Sequence, residues 1–127
     1  LPASAKGWFA ALNDPIVARA MQFVHRDPAR RWTADDLARE VGSSRTVLAE
    51  RFNAVMGQAP IEYMTSWRMQ LAAERIRNSR DSLSAIAADV GYESEAAFNR
   101  AFKRVTGVAP GRWRDGAAAD PSHGREI

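Results

Sequence analysis

Within the stretch "SEAAFNRAFKRVTG", Arg100, Lys103 and Arg104 fall three residues and then one residue apart. If the stretch is helical, a turn of ~100° per residue puts them with Ala96 and Asn99 on the side opposite Phe98. Such a face suits a nucleic-acid groove. A guanidinium donates in pairs to a guanine edge, a carboxamide matches adenine, and further cations grip phosphate. Ala96, Asn99 and Arg100 are therefore candidates for base edges, with Lys103, Arg104 and the helix-opening Ser94 for phosphate. The ordinary alternative is a solvated charged face.

The stretch "VGSSRTVLAERFNAVMGQAP", Val41 to Pro60, offers a second such helix with a different surface. Stepping from Leu48, the side opposite the core carries Thr46, Ala49, Glu50, Asn53 and Ala54. Thr46, Ala49 and Glu50 are candidate base contacts. Arg45, in the first turn after Ser44, can reach a base or only a phosphate, and Ser44 belongs to the phosphate set. Glu50 has two readings: a carboxylate facing the groove accepts from a cytosine amino group, or it forms a surface ion pair and points aside.

The elements that position these faces form a repeat. Phe98, Phe102, Val105, Gly107 and Pro110 match Leu48, Phe52, Val55, Gly57 and Pro60 at a constant offset of fifty, whereas Val90 and Gly91 match Val41 and Gly42 at forty-nine. The second turn thus has one extra residue. Each unit reads helix, glycine-containing turn, helix, and in that pattern the first helix braces the second for insertion into a groove.

Apolar spacing is helical almost throughout, and no stretch alternates as a strand would, so the class is all-α with about seven helices. Asp14 and Pro15 open a helix to about His25, with Ile16, Ala20, Phe23 and Val24 inward. Thr33 with Asp36 approaches a capping box, and Gly42 ends that helix. Pro60 opens the longest helix, roughly 27 Å by its rise, with Met64, Trp67, Leu71 and Ile76 on one face. Ser82 and Ser94 cap two more, and Pro110 starts a short final turn. Residues 1–13 read as an interdomain linker, 14–115 as the double helix-turn-helix domain and 116–127 as a flexible tail.

At 127 residues, with 46% hydrophobic and 26% charged side chains, the chain suits one compact globular domain. The start "LPASAKGWFAAL" lacks a signal core, no run is long enough to span a bilayer, and the first residue, not a methionine, suggests a fragment or a trimmed chain. The absence of cysteine suits the cytoplasm. Net charge is +3, yet residues 44 to 114 hold eleven Arg/Lys against seven Asp/Glu, a basic middle that permits a phosphate-bearing partner.

Enzyme chemistry finds no foothold: there is no phosphate-cradling glycine loop, and no serine sits in a nucleophile elbow. His25 and His123 lack neighbours at ligand spacing, so neither metal nor cofactor is expected. Trp67, Met64 and Met69 read as core, not as a ligand pocket. Trp8 and Phe9 can pack on the domain or on a missing neighbour. A protein-interaction module without specific DNA readout is the competing class, because Ala49, Ala54 and Ala96 would tolerate a partner helix.

The double unit, the "VG" turns, the connector "YMTSWRMQLAAERI" and above all "IAADVGYESEAAFNRAFKRVTGVAPGRWR" resemble the DNA-binding domain of the AraC/XylS family of bacterial transcription regulators. The likeness covers about Asp14 to Arg114. It implies two helix-turn-helix subdomains joined by a long connector helix, with recognition helices entering adjacent major-groove segments of double-stranded promoter DNA. The connector would fix their spacing, so the DNA must bend if that spacing is short of one helical repeat. The resemblance further implies an activator, a nucleoid location, RNA polymerase as a partner and a separate N-terminal sensor domain outside this fragment. Membrane contact is not expected, and with two reading helices per chain the fragment is expected to be monomeric. Arg100 falls on an arginine usual in the family, whereas Glu50 departs from the arginine common in the first motif.

Overall fold

The computed structural model describes residues 13–116 and 118. The expectations for the linker before residue 13, for Trp8 and Phe9, for His123 and for most of the tail lie outside the described residues. Seven helices are described: α1 (Pro15–Arg26), α2 (Ala34–Val41), α3 (Arg45–Met56), α4 (Pro60–Asn78), α5 (Leu83–Asp89), α6 (Glu95–Thr106) and α7 (Pro110–Arg114). No strand occurs among the described residues. The chain divides into two compact units where length alone suggested one. The first takes residues up to Asp27 together with Arg31–Met64, the second Pro28–Arg30 and the residues from Thr65 onward.

In the first unit, Asp14 accepts from Ile16 N at 3.0 Å and Val17 N at 3.2 Å, so α1 starts where two otherwise unpaired amides find a carboxylate. Its buried face is Val17, Ala20, Met21 and Val24. The expected face is corrected by a fraction of a turn: Ile16 and Phe23 are half-buried, and Phe23 lies at the edge, where its ring meets Trp32 edge-on at 5.9 Å. The expected capping box of α2 is present in full: Asp36 N donates to Thr33 Oγ1 at 3.0 Å, and Thr33 N donates to Asp36 Oδ2 at 3.3 Å. These bonds, with Arg39 at 2.7 Å, hold the Asp36 carboxyl below its usual range. Leu37, Ala38, Val41, Leu48 and Phe52 complete this core.

The second unit centres on Met69, Ala72, Ile76, Ile86, Ala87, Val90, Phe98, Ala101 and Phe102. The face expected for the long helix also needs correction, since Trp67 and Leu71 are half-buried while Met69, Ala72 and Ile76 carry the burial. That helix serves two cores in succession, Met64 in the first unit and Met69 onward in the second, so no single stripe runs along it. Side chains of α7 bond two carbonyls near the C-terminal end of α4 and one in the segment that follows. Trp113 Nε1 donates to Ala73 O at 2.8 Å, Arg114 Nε to Ile76 O at 2.8 Å, and Arg114 Nη2 to Asp81 O at 2.7 Å. Arg77 lies 3.6 Å above the Trp113 ring, and that ring meets Phe102 edge-on at 6.1 Å. Behind α6, therefore, stands a buttress built by the last described helix.

The turn before α6 is held differently from its counterpart. Gly42 ends α2 in the left-handed region at φ +73°, with open space where a side chain would be. In the second unit Val90 takes the capping position at φ −96°, and Gly91, the counterpart of Gly42, follows at φ +96°. A Cβ on Gly91 would stand 2.8 Å from the carbonyl oxygen of Ala29. Pro28–Arg30 is gripped there from a second side, for Arg68 Nε donates to Pro28 O at 2.7 Å and its Nη2 donates to Arg30 O.

Candidate nucleic-acid interface

The two helices expected to meet a groove are built alike. Ser44 accepts from Val47 N at 3.1 Å and Ser94 accepts from Ala97 N at 3.1 Å. Each hydroxyl thereby satisfies one amide of the first turn, and the remaining amides give that end its partial positive charge. Both helices close on a left-handed glycine, Gly57 and Gly107, whose amides donate to Asn53 O and Lys103 O at 2.8 Å. Leu48 with Phe52, and Phe98 with Phe102, are buried at matching positions and turn the opposite faces outward.

On α3 all five residues expected to face outward, Thr46, Ala49, Glu50, Asn53 and Ala54, are exposed. Both of its cations face acids. Arg45 Nη1 lies 4.0 Å from Asp35 and Arg51 Nη1 lies 3.6 Å from Asp14. These exposed pairs are weak, yet each puts a carboxylate beside a group that would otherwise be left for phosphate. Glu50 is exposed and forms no ion pair among the described residues, so the surface-pair reading of this residue finds no partner.

α6 presents the opposite charge. Ala96, Arg100, Lys103 and Arg104 are exposed, and none of these three cations forms an ion pair among the described residues. Asn99 departs from expectation: its side chain is half-buried, and its Oδ1 is buried with no hydrogen-bond partner among the described residues. One step of ~100° from Phe98 puts Asn99 on the flank of the helix, not on its outer face. Beside the helix, burial pushes the Tyr92 hydroxyl above its usual range, while the charges of Arg68 and Arg104 pull it back.

Val47 was missed by the sequence reading. It is exposed in the first turn of α3 and, with Ile61, is one of two large hydrophobic side chains so placed among the described residues. The signal was available, because Val47 sits about 100° off the Leu48 and Phe52 stripe. His25 has a structural partner: its Nε2 lies 2.6 Å from the Tyr63 hydroxyl, and the Tyr63 ring meets Phe52 edge-on at 5.6 Å. Burial lowers the His25 pKa and pushes that of Tyr63 up to about 12. No group of three or more His, Asp or Glu side chains suited to a metal ion occurs among the described residues. No described helix is long and apolar enough to cross a membrane.

Comparison with known proteins agrees with this geometry. The model of a family described as helix-turn-helix domain matches residues 37–116. The chain is 51% identical over 113 residues to a Streptomyces lividans protein described as an AraC-like transcription regulator, covering 89% of this chain and 37% of that one. It is 34% identical over 109 residues to the transcriptional regulator AlkR of Acinetobacter baylyi, covering 86% and 36% respectively. The chain therefore spans little more than a third of the relatives it matches. Among solved structures, the C-terminal domain of AraT, a response regulator from Geobacillus stearothermophilus, superposes with a TM-score of 0.79 at 29% identity, covering 84% of this chain and 89% of that domain. With two capped helix-turn-helix units in tandem and a family match across both, the chain belongs to the AraC-type helix-turn-helix family.

Proposed function

We propose that this chain binds double-stranded DNA in a sequence-specific manner as the DNA-binding part of a transcription regulator, α3 and α6 each entering a major-groove segment. The observation that carries the reading is the outer face of α6, where Arg100, Lys103 and Arg104 are exposed without acidic partners. In this reading Arg100 bonds a guanine edge, with Ala96 beside it, while Lys103, Arg104 and the Ser94 end of the helix hold phosphate. On α3, Thr46, Ala49 and Glu50 face bases, Ser44 faces phosphate, and Arg45 must leave Asp35 to reach either. Action in the cytoplasm on promoter DNA, with RNA polymerase as a further partner, completes the proposal.

The test is selection from a randomised duplex pool followed by titration across site variants. The units present different faces, so one chain should occupy one non-palindromic site, and a two-fold symmetric site filled by two chains would contradict this. Arg100→Ala should cost about 1–3 kcal/mol and relax preference at one base pair. Unchanged preference would move Arg100 to phosphate or to the free surface. The competing protein-interaction module is separated by salt, because phosphate contacts make affinity fall steeply with ionic strength.

A further inference from the structure

We propose that Glu50 is a specificity-determining residue that selects a cytosine in the DNA segment facing α3. The proposal rests on the DNA-binding reading above and assigns what its first helix recognises. Glu50 lies two residues beyond the buried Leu48 and two before the buried Phe52, and so projects from the outer face. Its near neighbours there, Thr46, Ala49, Asn53 and Ala54, are exposed and uncharged. Arg45 and Arg51 each face a carboxylate, leaving Glu50 as the charged side chain of α3 with no ion-pair partner among the described residues.

A carboxylate only accepts hydrogen bonds. In the major groove the available donors are the amino groups of cytosine and adenine, whereas guanine and thymine present acceptors that repel it. Adenine sets N7, another acceptor, beside its amino group, where the second carboxylate oxygen would meet it. Cytosine sets a C5–H there, which a carboxylate tolerates. The acceptor across the pair, guanine O6 or thymine O4, is common to both, so the C5–H side makes cytosine the better partner for Glu50.

The same charge acts against every other sequence. With no cytosine amino group to engage, Glu50 meets the phosphate field unpaired, so it lowers affinity for unmatched DNA as well as raising it for the matched pair. α6 is suited to supply affinity and α3 to supply discrimination.

The test uses the whole chain with duplex pools randomised over the selected site, and compares wild type with Glu50→Gln and Glu50→Ala. Exposure of this side chain means that neither change disturbs a core. Wild type should prefer cytosine at one position by roughly tenfold. Glu50→Gln should move that preference to adenine, whose paired donor and acceptor a carboxamide matches. Glu50→Ala should lose the preference at that position alone and bind unmatched duplexes as well as or better than wild type does. Wild-type selectivity that survives unchanged in both variants overturns the assignment and leaves the DNA-binding reading intact. A uniform loss across all four bases also overturns it. A wild-type pool with no consensus at all overturns the DNA-binding reading itself.

Discussion

Replacing Gly91 by alanine separates two reasons for a glycine in a helix-turn-helix turn. At φ +96° the backbone of Gly91 lies where L side chains are strained, and an added Cβ would stand 2.8 Å from Ala29 O and 3.2 Å from its carbonyl carbon. Gly42, at the matching point of the first unit, has φ +73° and nothing within 4 Å of the same atom. Both alanines incur the positive-φ cost of roughly 1–2 kcal/mol. Only the second adds an overlap with backbone, which no rotamer change relieves. Gly42→Ala should therefore cost about 1 kcal/mol and Gly91→Ala about 3 kcal/mol or more, placing the latter among the severe single substitutions. Amide hydrogen exchange reads the opening free energy of each unit separately, so each variant can be scored against the unit that contains it. Equal losses in the two variants would refute the claim that Ala29 packs against the Gly91 backbone.

Lys103→Ala should weaken binding to all sequences alike and reduce the slope of log affinity against log salt by about one, measured by titration at several ionic strengths. His25 gives a pH dependence. Because burial holds its folded pKa below 6.5, the unfolded chain takes up the proton first, so stability is full above that value and falls as pH drops through the folded pKa. Hydrogen exchange in the first unit between pH 7 and pH 5 should show this loss, and His25→Gln should flatten it; an identical slope in the variant would assign the effect to another group.

Features set by local chain chemistry were legible in the sequence. Asp14, Thr33, Ser82 and Ser94 all cap where their side chains predict, because a cap depends on residues no more than three positions away. The repeat located both helices proposed to meet a groove for the same reason, each apolar stripe being complete within one helix. Tertiary contacts were not legible. Nothing in the spelling of α1 says that Phe23 turns aside to Trp32, and nothing in "FNR" says that the Asn99 oxygen is buried. The acids that face Arg45 and Arg51 come from positions 35 and 14, beyond the reach of any helix periodicity. Gly91 was legible as the turn glycine that matches Gly42, but the Ala29 backbone packed against it lies sixty-two positions earlier in the chain.

The grip of Arg68 and Gly91 on Pro28–Arg30 bears on how this protein can be dissected. The second helix-turn-helix looks in the sequence like a cassette that could be cut out near Thr65 and moved. Its compact unit nevertheless includes a tripeptide that precedes α2. An excised C-terminal fragment would leave the Arg68 guanidinium without the carbonyls of Pro28 and Arg30, and would bare the Gly91 backbone where Ala29 had covered it. Chimeras that exchange recognition surfaces are thus better made by replacing the outward residues of α3 or α6 in place than by splicing whole repeats, since the repeats follow one another in the chain but are not separable by a single cut.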